Sequence, residues 1–535
     1  MKILHKWRLS DPLKLMTIVL IGLGIFFRVG NLDLKPYWYD ETYTSLQISG
    51  YGDLEVRQQV NGNILTVADL QTYQYPSSEK SVSDTVRLIA QKEPQLTPLY
   101  FIFTRFWVAI FGNSVAVARG FSVFSSLLSM LLIYWLGKEL FQSQTVGLFA
   151  VALFAVSPFH ILYAQEARPY SLWTTAILGT NLALLRAMRL QTIGSWLIYA
   201  LTSIFGLYTH LFALLVSFSQ GVYVVIAEKL RLTKNLICYV VSMAVVCAVF
   251  LPWAMILFPN LSAMNGGGWQ AEELSPAVLV YRWVRNLGQL FADFNINESS
   301  PKLYLLAYLT LLLGILIIVG YAIYFLCRNA SKQAWLLVLT LIIVPSLPLL
   351  LQDLISGGAR STISRYLIPS FLGVQLAVAY LFATHLTQTS IKWTRVWKGI
   401  IATVLSVSVV SCLVMVQAEL WWNKDEANYD RQLAHLINQE QAPLLVSDAY
   451  FAFVLSISHS LDPNVQVLLA PENTVPTLTD VDSETLGSKT FLYRPSQTML
   501  DGLQQQFALE PVAVNAASPE PEPTRLWKLG QRLDN

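Results

Sequence analysis

At 535 residues the chain is 54% hydrophobic and only 13% charged, with a mean hydropathy of +0.48. A soluble protein carries about 25% charged residues, so composition excludes a soluble class and predicts a polytopic α-helical membrane protein. The net charge of +2 gives no bulk case for nucleic-acid binding.

A basic N-terminus leads into the first apolar run as in a signal peptide. No small-residue cleavage site follows, so a retained first span is expected. A membrane-crossing helix needs about 20 apolar residues. On that measure about eleven spans are predicted near 13–30, 116–136, 144–162, 170–188, 195–209, 211–227, 236–258, 303–326, 334–352, 366–388 and 399–418. The two around His210 are short, and a single broken or re-entrant element fits them as well. Basic residues before or after alternate spans set the orientation. Lys2, Lys6, Arg8 and Lys14, then Lys138, Arg186 and Arg189, Lys229, Arg231 and Lys234, Arg328 and Lys332, and Lys392, Arg395 and Lys398 share one side if the N-terminus is cytoplasmic. The apolar stretch 97–112 is interrupted by Arg105 and would reverse this alternation as a span. It is therefore expected to be an interfacial helix. Cys238, Cys247, Cys327 and Cys412 lie in or beside apolar segments, which argues against a disulfide framework or cysteine zinc site.

Three outer loops follow. The first covers about 31–115 and opens on Pro36-Tyr37-Trp38-Tyr39-Asp40-Glu41. The second, 259–302, contains Asn265-Gly266-Gly267-Gly268-Trp269, and the third, 353–365, contains Gly357-Gly358 and ends in Arg365. Glycine-bearing loops suit either a mobile cover over a site or plain connectors. Beyond Leu420, apolar runs at Pro443–Val446, Val465–Leu469 and Thr490–Tyr493 alternate with helical stretches and predict a small α/β domain. The expected division is a membrane domain over 1–419 and an extracytoplasmic domain over 420–535, with Pro519-Glu520-Pro521-Glu522-Pro523 as an exposed linker.

Under this topology Asp40, Glu41, Glu93, Gln165, Glu166, Arg168, His210, Arg365 and Tyr366 collect on the outer side, close to the membrane. A charge at membrane depth costs at least about 2.5 kcal/mol unless paired or hydrated, so their gathering predicts a polar cavity. Each has a structural alternative. Asp40 and Glu41 suit a helix N-terminus, Glu166 and Arg168 suit a mutual pair, His210 suits a satisfied core position, and Arg365 suits snorkelling. Transfer of a sugar from a lipid phosphate gives the set a chemical use. A carboxylate would serve as base for the acceptor. Arg168, Arg365 and His210 would stabilise the departing phosphate. Tyr37, Trp38 and Trp269 would offer aromatic surfaces to a sugar ring. A transporter or flippase of lipid-linked sugars, or a non-catalytic envelope assembly scaffold, would use the same cavity without chemistry. The long carboxylate-bearing first loop speaks for the enzyme.

Several motifs in order carry a family resemblance. They are Asp40-Glu41, Glu93-Pro94-Gln95-Leu96-Thr97-Pro98-Leu99-Tyr100, Arg119 through Leu140, Ser157-Pro158-Phe159-His160 with Gln165-Glu166-Ala167-Arg168-Pro169-Tyr170, Tyr208-Thr209-His210, and Arg365-Tyr366-Leu367-Ile368-Pro369. Over roughly 15–390 the chain resembles the GT-C membrane glycosyltransferases of the protein-mannosyltransferase-like, ArnT-related group (glycosyltransferase family 39), bacterial branch. The resemblance implies a GT-C fold with interfacial helices in the first outer loop and a polyprenyl-phosphate sugar donor. It also implies hexosyl or pentosyl transfer with inversion to a lipid, polysaccharide or protein acceptor, in a plasma or inner membrane. Asp40 would be the catalytic base with Glu41 in support. Glu93, Gln165, Glu166, Arg168, His210, Arg365 and Tyr366 would shape the substrate cavity. Leu96 and Thr97 stand where the family pattern has His and Pro. Glu93 with His210 or His160 would make only a partial site for a possible divalent cation, so no metal ligand is assigned.

Overall fold

All eleven predicted apolar segments are helical. The structure, a computed structural model, describes residues 11–264, 274–297, 300–388, 391–427, 429–476, 478, 489–512 and 524–533. The Asn265–Trp269 and Pro519–Pro523 segments, with Lys2, Lys6 and Arg8, lie outside the described residues. Among the described residues, seven helices are long and apolar enough to cross a membrane. They are Asp11–Val29, Val115–Phe141, Lys234–Met264, Lys302–Asn329, Lys332–Ser356, Ile368–Gln388 and Ile391–Gln417. Gln144–Ala155 and Pro158–Ala164, bent by 60° at their junction, make an eighth span if taken together. Tyr170–Leu190 and the shorter Ile193–Thr209 and Ala213–Ala227 complete the set, with extended backbone at His210 separating the last two. Leu99–Phe111 is a 13-residue apolar helix.

Contacts divide the chain into two compact units. The membrane unit comprises 1–32, 93–100 and 119–417; the sheet unit comprises 33–92, 101–118 and 418–535.

Within the membrane unit, lipid rather than water sets the pattern. The Lys302–Asn329 helix has a mean hydropathy of 2.5 with 22% of its most apolar window buried, whereas the window over Ser364–Thr387 has 1.7 with 89% buried. Lipid-facing surface must be apolar throughout, while an interior helix can carry polar groups that find partners. Ser370 Oγ donates to Ile342 O at 2.7 Å, and Gln375 Oε1 meets His160 Nε2 at 3.1 Å.

The 60° bend exposes helix-end carbonyls at membrane depth, which is tolerated only where protein satisfies them. Arg28 does so. Fully buried, it donates from Nη1 to Ala155 O at 2.7 Å and Gly24 O at 2.9 Å, from Nη2 to Phe154 O at 3.1 Å, and from Nε to Ser126 Oγ at 2.8 Å. Gly24, one turn earlier, lets the first span approach. A Cβ there would lie 2.4 Å from Ala155 O, a backbone atom that cannot swing away. Gly24→Leu and Arg28→Ala are therefore each expected to lower the melting temperature of the detergent-purified protein. For Arg28→Ala the loss is on the order of 3 kcal/mol, because buried carbonyls lose their donors. Wild-type melting of either variant would refute this account of the bend.

The sheet unit holds six strands: β1 (Ile64–Thr66), β2 (Leu444–Ser447), β3 (Gln466–Leu469), β4 (Thr490–Tyr493), β5 (Phe507–Pro511) and β6 (Leu526–Arg532). Their order is β1-β3-β2-β4-β6-β5, with β2 parallel to β3 and β4 and the other pairs antiparallel. The predicted tail strands correspond to β2, β3 and β4. Every residue of β2 and β4 is buried, as expected of central strands covered on both faces. Period-two alternation divides them. Leu445, Val467, Phe491 and Tyr493 pack with helices Asp430–Asn438 and Phe451–Ser458 and with first-loop residues Leu46, Val56 and Leu70. Leu444, Val446, Leu468 and Leu492 pack on the other face with Met499 and Leu503. The segment between the first two long apolar helices thus supplies both an edge strand and part of the core of the tail's sheet.

Asp430 begins its helix inside this unit at 1% exposure, accepting from Tyr493 OH at 2.9 Å with Arg494 Nη2 at 3.7 Å. Burial pushes its carboxyl up from 3.8 to about 6 against the pull of Arg494 and Tyr493. The folded state therefore binds more protons than the unfolded chain between about pH 4 and 6, so stability falls as pH rises through that window and levels off above it. Asp430→Asn is expected to flatten this slope in pH-dependent melting; an unchanged slope would place the proton elsewhere.

Candidate functional site

Pro36, Tyr37 and Trp38 enter the site as extended chain held from two sides. Tyr37 O accepts from Ser456 Oγ at 2.7 Å, and Tyr37 OH meets Ser45 Oγ at 2.8 Å. Trp38 caps helix Tyr39–Ser49, its carbonyl accepting from Glu41 N at 2.8 Å and Thr42 N at 3.1 Å. Asp40 and Glu41 therefore occupy the first turn, where the helix dipole favours negative charge. Neighbours on a helix point about 100° apart, and the two carboxylates meet different surroundings. Glu41 is 0% exposed and pairs through Oε2 with Lys424 Nζ at 2.6 Å; Lys424, 1% exposed, also donates to Pro36 O at 3.1 Å. Asp40 is half-buried. One acid is committed to the interior, and the other keeps access to solvent.

In the membrane unit, the broken span leads into a turn carrying the other predicted residues. Gln165 Nε2 donates to Phe27 O at 2.9 Å and Gly30 O at 2.8 Å, closing the end of the first span. Glu166 and Arg168 are buried in a tight turn, with Arg168 N donating to Glu166 O at 2.8 Å. Ser122 Oγ, which meets Tyr100 OH at 3.0 Å, donates to Arg168 O at 3.2 Å. The Arg365 guanidinium lies 5.5 Å from the Tyr170 ring and 5.8 Å from that of Tyr366. Tyr366 meets Phe212 edge-on at 4.9 Å, and His210 stacks on Trp173 at 4.2 Å and 14°. Tyr163, bonded to Ser364 Oγ at 2.9 Å, feels the charges of both Arg365 and Glu166, and His210 those of Arg168 and Arg365. Glu166, Arg168, His210, Arg365 and Tyr366 therefore form one neighbourhood of cations and aromatic faces. Glu93 belongs to the same unit, on a segment anchored by Trp253 Nε1 donating to Pro94 O at 3.0 Å.

Among the described residues, no three His, Cys, Asp or Glu side chains gather as a metal site. His160 is engaged with Gln375 and stacked on Phe154 at 4.2 Å, and His210 Nδ1 accepts from Phe212 N at 3.2 Å. Sequence reasoning missed Lys424 and Arg28. The lysine follows Trp421 and Trp422 just past the last span, with no local sign of its partner. The arginine reads as an ordinary basic residue at a span end.

These features define a multi-pass helical membrane protein with a second, sheet-bearing unit. Residues 92–256 match the family described as dolichyl-phosphate-mannose-protein mannosyltransferase. The undecaprenyl phosphate-alpha-4-amino-4-deoxy-L-arabinose arabinosyl transferase of Yersinia pestis (strain Pestoides F) is 28% identical over 203 residues, covering 37% of this chain and 34% of the relative. The enzyme of the same description from Erwinia tasmaniensis is 26% identical over 281 residues, covering 51% of this chain and 46% of the relative. The matched stretch thus spans less than half the length of these relatives. The fold is similar across 97% of the chain and 98% of ArnT from Cupriavidus metallidurans in its apo state, with a TM-score of 0.52 at 12% identity. The form of that ArnT bound to undecaprenyl phosphate gives 0.50 over the same coverage. The resemblance carried by the motifs is thus met by a family match over residues 92–256 and by similarity of fold to ArnT.

Proposed function

We propose that this protein transfers a sugar from a polyprenyl-phosphate-linked donor to an acceptor on the extracytoplasmic face of the membrane. The observation that carries the reading is the division within the acidic pair: Glu41 is fully buried against Lys424, while Asp40 beside it is only half-buried. The similarity to undecaprenyl-phosphate-dependent transferases supports the donor class. In the reaction, the acceptor hydroxyl or amine attacks the anomeric carbon and its proton passes to Asp40. The bond from that carbon to the phosphate oxygen breaks, and the lipid phosphate departs against Arg168 and Arg365. A single displacement with one accessible carboxylate inverts the anomeric centre. Tyr170, Tyr366 and Glu166 belong to the same membrane-unit neighbourhood as Arg168 and Arg365, and Gln165 holds the turn that presents Glu166 and Arg168. Positive-inside loops support a cytoplasmic N-terminus, with the sheet unit on the opposite side.

The test is release of lipid phosphate by the detergent-purified protein, offered a panel of pentosyl and hexosyl polyprenyl phosphates with cell-envelope lipid, polysaccharide and protein fractions. Acceptor-dependent release is expected. Uptake of lipid-linked sugar across a proteoliposome membrane without release would replace the transferase by a flippase.

A further inference from the structure

The loop predicted over 353–365 carries Gly357-Gly358 and ends on Arg365, one of the two cations set against the departing phosphate. Both glycines lie at positive φ, 73° and 117°, where other residues are strained, and there the chain leaving helix Lys332–Ser356 turns back on itself. Two 3₁₀ turns follow, Arg360–Thr362 and Ser364–Leu367. The acceptor that meets the first of them is Asp353, 4% exposed and within the last turn of the preceding helix. Its Oδ1 accepts from Arg360 N at 3.1 Å and its Oδ2 from Ser361 N at 2.6 Å. A carboxylate so close to a helix C-terminus stands against the helix dipole. The two amide donors offset that conflict, and a broken local rule with a specific compensation is what a residue serving a site shows.

From Asp353 a series of hydrogen bonds leads along the backbone to Arg365. Thr362 N and Oγ1 donate to Ala359 O at 3.0 and 2.7 Å, Ile363 N to Arg360 O at 3.2 Å, and Tyr366 N to Ile363 O at 3.0 Å. The turn is also clamped from a neighbouring element. Trp283 Nε1 donates to Ser361 Oγ at 3.0 Å and Asn286 Nδ2 to Thr362 O at 2.6 Å, both from helix Pro276–Gly288. Ser364 Oγ meets Tyr163 OH at 2.9 Å. Arg365 therefore leaves a backbone that is fixed on both sides, and its guanidinium lies by the rings of Tyr170 and Tyr366. Such fixing matters because misplacing a group by about 1 Å can cost on the order of 10²-fold in rate.

We infer that Asp353 is a positioning residue for the proposed transfer, fixing the turn that places Arg365 against the lipid phosphate. This role rests on the reading of Arg365 as a phosphate contact. The Asp353 carboxylate is itself committed to backbone amides and acts only through the Arg360–Thr362 turn.

The experiment titrates undecaprenyl phosphate, with undecaprenol as the phosphate-free control, and follows melting of the full-length protein in detergent. Asp353→Ala is expected to weaken phosphate-selective binding on the order of tenfold, the scale of one hydrogen bond to a charged group. Asp353→Asn keeps the volume and one acceptor but sets an N–H against the second amide. It should lose selectivity in the same direction, and it reads the role even if Asp353→Ala does not fold. In an Arg365→Ala background, Asp353→Ala should weaken binding by no more than about twofold, because both changes act on one contact. In turnover the donor's KM should rise while the acceptor's stays unchanged. Wild type that binds undecaprenol as tightly as undecaprenyl phosphate removes the donor reading, and the role of Asp353 with it. Wild type selective for the phosphate, with Asp353→Ala and Asp353→Asn equally selective, overturns the role of Asp353 alone. Losses that simply add to that of Arg365→Ala overturn it too.

Discussion

Asp40→Asn is expected to lower turnover by about 10²–10⁴-fold, the usual worth of a positioned general base, while the protein still folds. Asparagine keeps the shape of the side chain and its capacity to accept hydrogen bonds. The charge it removes sits in the first turn of helix Tyr39–Ser49, where a carboxylate contributes about 0.3–1 kcal/mol through the helix dipole. The melting temperature should therefore fall only slightly. Donor binding, followed by protection of the protein against heat, should survive, because the proposed phosphate contacts belong to residues of the membrane unit. Comparable turnover in Asp40→Asn and wild type would remove Asp40 from the chemistry.

Its neighbour is expected to behave in the opposite way. Glu41→Gln should destabilise the protein by about 3–5 kcal/mol, because deleting one member of a buried ion pair leaves the other charge desolvated. Both side chains are at most 1% exposed and meet at 2.6 Å, so solvent offers little relief. Lys424→Met should cost a similar amount. The double variant Glu41→Met with Lys424→Met should recover much of the loss, since apolar groups of similar volume often replace a buried pair without penalty. The coupling between the two sites is then read from the cycle of variants. Activity of the folded double variant separates two roles. Retained turnover makes Glu41 a positioning residue that fixes the turn carrying Asp40. A stable double variant without turnover gives Glu41 a chemical part in the reaction.

The different fates of these adjacent acids mark where sequence reading stops. The pair itself was legible, as three aromatics and two carboxylates just past a span. Which of them faces inward depends on Lys424, more than 380 residues away, and no local pattern announces that partner. The membrane helices were legible because lipid imposes a length and a composition on each one separately. The central strands β2, β3 and β4 were legible because burial on both faces leaves continuous apolar runs. By contrast β1 is three residues long, and its half-exposed Ile64-Leu65-Thr66 has the look of a loop. β6, with Lys528, Gln531 and Arg532 among its apolar residues, carries the weak pattern of a strand with one wet face. Arg28 illustrates the same limit. A basic residue at a span end is what the positive-inside rule and snorkelling both lead one to discount, and only the bend at Val156 gives it carbonyls to hold.

The pairing of β1 with β3 sets an order of events during synthesis. Ile64 lies opposite Leu468, about 400 residues later in the chain. Closing so distant a contact carries an entropic cost and slows folding. The early loop must therefore wait, with Leu46, Val56 and Leu70 lacking the core they will join, until the whole membrane portion has been inserted and the last strands have been delivered to the same compartment. Assembly of the sheet unit thus reports that every intervening span was threaded correctly. A chain with one span misplaced would deliver the tail to the wrong side and leave the loop without its sheet, as a substrate for proteolysis.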